Sequence, residues 1–216
     1  MKKWIDVSLP LRNGLVPWPG DTPFTIERVR DLERGDDATV SRVNMGAHCG
    51  THMDAPAHFI RGGASLDALP PEAVIGRGRV IEIADEHAVT PAELESHRIR
   101  RGERILFKTR NSDRCYKTDG FVEDFVYISA AAARLLASRG ILCVGIDYLS
   151  VGGFFHDGRE THEQLLGAGV WVIEGLNLSG IKPGPVEMIC LPLRLAGAEG
   201  APARVLLRSL TPNGTP

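Results

Sequence analysis

The stretch SAAAARLLASRGILCVGI, residues 129–146, decides the fold class. Ser129 suits the N-cap of a helix, the alanines favour its interior, and Gly140 suits the left-handed residue that ends it. The run ILCVGI (141–146) that follows is apolar without a break, the pattern of a strand covered on both faces. A helix feeding directly into such a strand is the building unit of an α/β domain.

Outward from there, toward the C-terminus, a Gly-rich loop precedes a short helix near His162 to Leu166. Strands VWVIE (170–174), VEMICLPL (186–193) and ARVLLRS (203–209) follow. Upstream, RILFKT (104–109) reads as a strand. Thr90-Pro91-Ala92-Glu93 combines an N-cap, a first-turn proline and a capping-box glutamate, and so starts a helix. In the first half, WIDVSL (4–9), FTIERV (24–29) and TVSRVNM (39–45) alternate apolar and polar residues, as a sheet with one solvated face does. Between the first two, PWPGDTP (17–23) turns and exposes Trp18. The sum is one α/β domain over 1–210, with a central mixed β-sheet and flanking short helices. The tail 211–216 has no apolar anchor and is expected to fray.

Composition excludes several classes. The 216 residues are 43% hydrophobic and 24% charged, enough for one sizeable core. A formal charge of -2 and a pI of about 6.4 give no general attraction to nucleic acid or anionic lipid. The basic run RIRRGER (98–104) is broken by Gly102 and Glu103 and reads as a solvated connector. No apolar run reaches the roughly 18 residues that span a bilayer, and Asp6 and Pro10 interrupt the N-terminal segment before it could form a signal core. A cytoplasmic protein is expected. Cys49, Cys115, Cys143 and Cys190 form no CxxC pair, and no GxSxG, Walker or complete GxGxxG motif is present. GRGRV (76–80) comes nearest to the last.

The chemistry gathers in HCGTHMDAPAH, residues 48–58. His48, His52, Asp54 and His58 share one parity, so an extended chain points all four the same way. Four residues of straight strand span roughly 13 Å, too far for two imidazoles to share one ion comfortably, so the chain must bend, and Gly50 permits it. Such a set is hard to explain by packing and points to a metal. Cys49 has the opposite parity and points away. His87 and His97, flanked by charges, read as surface residues.

This segment, with WPGDTPF (18–24) and a downstream pair His162 and Glu174, resembles the bacterial kynurenine formamidases, part of a wider cyclase superfamily that includes isatin hydrolase. The resemblance runs from Trp4 to about Arg208. It implies a cyclase-like fold of the swivelling β/β/α type and a binuclear site. His48, His52 and Asp54 would hold one ion, and Asp54, His162 and Glu174 the other. The ions would be zinc, with manganese as the alternative. His58 matches the family's catalytic histidine, and the family is commonly dimeric.

A divalent ion brings the pKa of bound water toward about 7, and His58 would then carry the proton to a leaving nitrogen. Trp18 would form an aromatic wall for a small flat substrate, and Phe24 reads equally as wall or core. Hydrolysis of an aryl formamide such as N-formylkynurenine, a step of tryptophan catabolism, is the first expectation. Ring opening of a cyclic amide, imide or lactone is the second, and a non-enzymatic metal-binding domain the third. His58 argues against the last, because a structural site has no need of a spare proton carrier. Against the formamidase pattern VDxPSxDP, this chain has IDYLSVGGFFHDG (146–158), in which Gly152 and Gly153 suggest an open loop.

Overall fold

In the computed structural model, which describes residues 3–211, the strands in chain order are β1 (Ile5–Asp6), β2 (Thr25–Arg30), β3 (Val40–Asn44), β4 (His52–Asp54), β5 (Ile75–Glu82), β6 (Ala88–Val89), β7 (Arg104–Lys108), β8 (Tyr127–Ile128), β9 (Cys143–Ile146), β10 (Trp171–Glu174), β11 (Gly184–Pro192) and β12 (Gly200–Ser209). The helices are α1 (Pro71–Val74), α2 (Pro91–Glu95), α3 (Asn111–Arg114), α4 (Ala130–Arg139) and α5 (Gly158–Gly167). Beyond Thr211, the tail expected to fray lies outside the described residues.

The central sheet is α/β and mixed, as expected, but it closes on itself. Its order is β1-β12-β11-β5-β7-β9-β10-β4, and β4 pairs again with β12, so seven strands form a barrel and β1 sits beside it. The long strand β12 makes the closure: it pairs β11 along its length, β4 through Gly200–Pro202, and β1 through Leu206 and Leu207. Strands β5, β7, β9 and β10 run parallel, and β4 meets both β10 and β12 antiparallel. Closure joins segments some 150 residues apart, and local alternation of residues carries no mark of it.

Side-chain alternation splits the core in two. Val80, Leu106, Cys143, Ile173, Met53 and Cys190 belong to one buried cluster, while their neighbours Ile81, Ile105, Phe107, Val144 and Val172 pack in another with α4 and α5. Ser129 caps α4 by accepting from the Ala132 amide, and Gly140 ends it at φ 66. Thr90 caps α2 the same way, though Glu93 turns its carboxylate to the Ala84 amide rather than back to the cap. Helix α5 begins four residues earlier than the sequence suggests, after Asp157 at φ 59, whose carboxylate instead accepts from the Ala130 amide of α4.

Two expectations for the first half need correction. Strands β2 and β3 do not join the main sheet; they form a separate two-stranded ribbon in which every residue is exposed, so neither face is covered. Trp18 is not left in solvent, because it packs edge-on against Phe121, Phe125 and Phe154 with centroids 5.1 to 6.2 Å apart. Among the described residues no helix is long and apolar enough to cross a membrane.

Candidate active site

Strand pairing builds the floor of the site. In the β4/β10 register His52 faces Glu174, Met53 faces Ile173 and Asp54 faces Val172. Parity then sends Met53 and Ile173 into the barrel core and leaves His52, Asp54 and Glu174 together on the other face. His52 Nε2 lies 3.0 Å from Glu174 Oε2 and 3.5 Å from Asp54 Oδ1. Helix α5 adds His162, whose Nε2 is 3.2 Å from Glu174 Oε1 and 3.6 Å from Asp54 Oδ2.

His48 reaches the cluster around the bend foreseen at Gly50, which adopts φ 64. There the chain touches Gly175, at φ 70, so closely that a Cβ on Gly175 would come within 2.2 Å of the Gly50 carbonyl oxygen. Thr51 Oγ1 ties the two segments by donating to the Gly175 carbonyl at 2.5 Å and accepting from the Leu9 amide. Only His52–Asp54 is strand; the convergence of the four residues comes from this bend and from the single turn Pro56–His58. His48 Nδ1 ends 2.8 Å from Asp54 Oδ1, and the His58 ring stacks on that of His48 at 4.1 Å.

Asp54 and Glu174 are almost fully buried and need positive charge beside them. Burial disfavours charge on His48, yet its hydrogen bond to Asp54 and the surrounding carboxylates outweigh this and push it up to about 9. His162 is raised, against its burial, by Glu174. Burial works against ionised Glu174 too, but His162 and His52 hold it well below the usual carboxylate range. For His58 burial prevails and lowers the pKa, so the ring is neutral at neutral pH.

The donor set suits a divalent ion. His52 Nε2 and Asp54 Oδ2, which lie together in the cluster, are buried without a hydrogen-bond partner, while His48 Nε2, also without one, lies on the other side of its ring toward Glu199. Lone pairs of nitrogen and oxygen converge without saturating one another, as ligands about a zinc or manganese ion do. Ligand atoms of His52, Asp54 and Glu174 lie within 4.8 Å of one another, as do those of His48, Asp54 and His58. Asp54 is common to both groups. This grouping separates His48 from His52 and brings His58 within ligand range, a division different from the one the resemblance implies.

A cavity of about 370 Å³ opens over the cluster. Its lining includes four of the histidines, Glu174, and the apolar surfaces of Trp18, Phe59, Leu149 and Phe154. Phe59 stacks on the His162 ring at 4.3 Å. Phe24, by contrast, is buried and is absent from this lining, so it belongs to the core. Leu149, Ser150, Gly153 and Phe154 bring the 146–158 loop into the cavity, but the loop is not open. A Cβ on Gly152 would meet the Gly158 carbonyl oxygen at 2.5 Å, and one on Gly153 the His156 oxygen at 2.5 Å. The glycines are there because backbone passes backbone. Asp147, at the head of the loop, is buried and accepts from the amides and hydroxyls of Thr109 and Ser112.

Several residues escaped the sequence reading. Glu199, with Oε1 3.4 Å from His48 Nε2, sits in a turn with no motif around it. Asp21, inside the stretch WPGDTPF, and Arg159 also line the cavity, and nothing in their local sequence sets them apart as site residues. Phe59 carried one usable signal, its position immediately after His58. A larger groove of about 620 Å³, between β1 and the start of β12, holds no comparable cluster; its charged lining is Asp6 and Arg204, which pair with each other.

Residues 5–152 match the family model described as Putative cyclase. A kynurenine formamidase of Bacillus cereus is 34% identical over 208 residues, covering 96% of this chain and 98% of that protein. A structure described as a potential metal-dependent hydrolase with cyclase activity superposes with a TM-score of 0.84 at 34% identity, over 98% of this chain and 100% of the other. Isatin hydrolase A from Labrenzia aggregata, solved with benzyl benzoate, superposes with a TM-score of 0.83 at 25% identity, over 97% and 94% of the two chains. With the family model spanning well over half its length and a curated relative matching nearly all of it, the chain belongs to the Putative cyclase family.

Proposed function

We propose that this protein is a metal-dependent hydrolase of non-peptide carbon–nitrogen bonds, acting on an aryl formamide of the N-formylkynurenine type. One observation carries the reading: nitrogens of His48, His52 and His162 gather about the two buried carboxylates Asp54 and Glu174 beneath an aromatic-lined cavity. Two divalent ions, zinc with manganese as the alternative, would be held by His48, His52, Asp54, His162 and Glu174. When bound, they activate water near neutral pH and polarise the substrate carbonyl.

The protein's own groups do the rest. His58, neutral and stacked on His48, takes up a proton and delivers it to the leaving aniline nitrogen. Trp18, braced by Phe121 and Phe154, holds the aryl ring flat and keeps water from its face. Arg159, whose Nε pairs with Glu163 while the rest of its guanidinium remains for a ligand, and Asp21, of opposite charge at the same cavity, suit the carboxylate and ammonium of an amino-acid tail. That pairing favours a kynurenine-like formamide over an uncharged cyclic imide.

The protein works in the cytoplasm as a homodimer in this reading. The uncovered ribbon supports the dimer, since Ile26, Val29, Val40 and Val43 are each more than 40% exposed and a two-stranded ribbon alone is marginal in water. A second copy of the chain would cover it, which sedimentation velocity measures. The deciding experiment is a hydrolysis screen of metal-reconstituted protein on formyl anilides, isatins, cyclic imides and lactones. N-formylkynurenine is expected to give the highest kcat/KM. Preferential opening of isatin or an imide would move the assignment to a ring-opening hydrolase, and no turnover of any class would remove the enzymatic reading.

A further inference from the structure

We infer that Glu199 is a positioning residue for the metal centre: its carboxylate accepts from the His48 Nε2–H and so leaves the Nδ1 lone pair of that ring facing Asp54, where the two would share an ion. The inference rests on the metal-centre reading above and extends it to a residue outside the ligand set.

The three histidines that face Asp54 and Glu174 are not held alike. His52 Nδ1 lies 2.9 Å from the Gly50 carbonyl oxygen, and His162 Nδ1 lies 2.6 Å from that of Gly158. A carbonyl only accepts, so in both rings Nδ1 carries a hydrogen, and Nε2, turned to the carboxylates, is the nitrogen whose lone pair becomes available to an ion once its own proton leaves. His48 is turned the other way. Its Nδ1 is the atom at Asp54, 2.8 Å away, and its Nε2 points out of the cluster. For Nδ1 to act as a ligand, Nε2 must hold the hydrogen, and a buried N–H needs an acceptor.

No backbone carbonyl serves Nε2, which is buried without a hydrogen-bond partner. The acidic atom facing it is Glu199 Oε1, 3.4 Å away, in ion-pair range and a small rotation from a hydrogen bond. The segment that carries Glu199 is built against the ring. A Cβ on Gly200 would come 2.7 Å from His48 Cε1 and 3.0 Å from Nε2, so only glycine lets the ring lie on this backbone. The Glu199 carbonyl accepts from the Ala55 amide at 2.8 Å, and Gly200 pairs with Asp54 across β12 and β4, which ties the carboxylate to the ligand strand. Because the Glu199 side chain is 46% exposed, one oxygen can face His48 while water solvates the other. A carboxylate behind a ligand imidazole fixes its tautomer and raises its basicity, and removing such a partner typically costs about 10- to 100-fold in metal affinity.

The test uses the full-length, zinc-loaded protein with Glu199→Ala and Glu199→Gln. Zinc affinity is read by competition with a chromogenic chelator, and the His48 tautomer by nitrogen-15 NMR of the imidazoles. Wild type is expected to show His48 protonated at Nε2. Glu199→Ala should bind zinc roughly 10- to 100-fold more weakly, and Glu199→Gln, which keeps an acceptor oxygen, should recover much of that loss. Thermal unfolding of the chelator-treated variants should match wild type, which separates positioning from a folding defect. Unchanged zinc affinity in Glu199→Ala, or zinc on Nε2 of His48, overturns the inference while leaving the metal centre standing. A wild-type chain that binds no zinc takes down both.

Discussion

His52 and His58 lie six residues apart and are placed for different work. His52 is buried between Asp54 and Glu174, whereas His58 stacks on the outer side of His48 at the cavity. His52→Ala should therefore lose metal and activity together. His58→Ala should keep most of its metal, measured by atomic absorption, and lose roughly 100- to 10,000-fold in kcat with a smaller change in KM. An emptied site in His58→Ala would make His58 a ligand, in line with its closeness to His48 and Asp54. Trp18→Ala should cost aryl formamides about 1 to 3 kcal/mol in transition-state binding, roughly 10- to 200-fold in kcat/KM, and small aliphatic formamides far less. Equal losses on both would make Trp18 only a brace for Phe121 and Phe154. The proposed ligands of residues 48–58 are legible in sequence because one short segment holds them. Glu174 is not: at the end of VWVIE its local pattern fits an exposed strand end equally well, and only the pairing with β4, more than a hundred residues upstream, buries it against His52.

Strand β5 shows how elements hide. Its sequence IGRGRVIE carries two glycines and follows Pro70 and Pro71, all of which read as loop punctuation, yet it forms eight residues of strand between β11 and β7. Gly78 eases the fit there, because a Cβ would press to 3.2 Å from the Arg104 carbonyl oxygen. The glycine that marks a turn by local rules here marks close packing of strands. The loop after β9 was misread in the same way, its glycines taken for slack. What holds that loop is Asp147, which anchors the start of α3 through four hydrogen bonds to Thr109 and Ser112. Burial raises its pKa to about 6 despite those donors. Asp147→Ala would strand two buried amides and two hydroxyls, each worth about 1 to 3 kcal/mol when left unpaired. We expect a loss of at least about 3 kcal/mol, seen as a fall of about 6 to 12 °C in Tm for a domain of this size. A change below 2 °C would mean that water replaces the carboxylate.

At the scale of the whole molecule, the candidate centre sits where the barrel closes. His52 and Asp54 belong to β4, Glu174 to β10 and His162 to α5, so ions held by them cross-link the closing strand to its neighbour and to the helix layer. Metal that binds only the folded chain stabilises it by mass action, about 2.7 kcal/mol when free metal is 100 times its Kd, equivalent to roughly 5 to 11 °C in Tm. The gain should depend on pH with a definite sign. In chelator-treated protein, protonated His48 and His162 neutralise Asp54 and Glu174, and their pKa values are raised. A raised value means stability that is complete below the ordinary histidine pKa of about 6.5 and is lost as pH climbs through the folded value, about 9 for His48. An incoming ion must displace those protons, so its own binding strengthens over the same range and levels off above it. Calorimetric scans from pH 6 to 9.5 should then show the gap between metal-loaded and chelated protein widening up to about pH 9. A gap that stays constant, or narrows, would mean that His48 gives up no proton to the metal and that the charge on Asp54 is balanced from elsewhere.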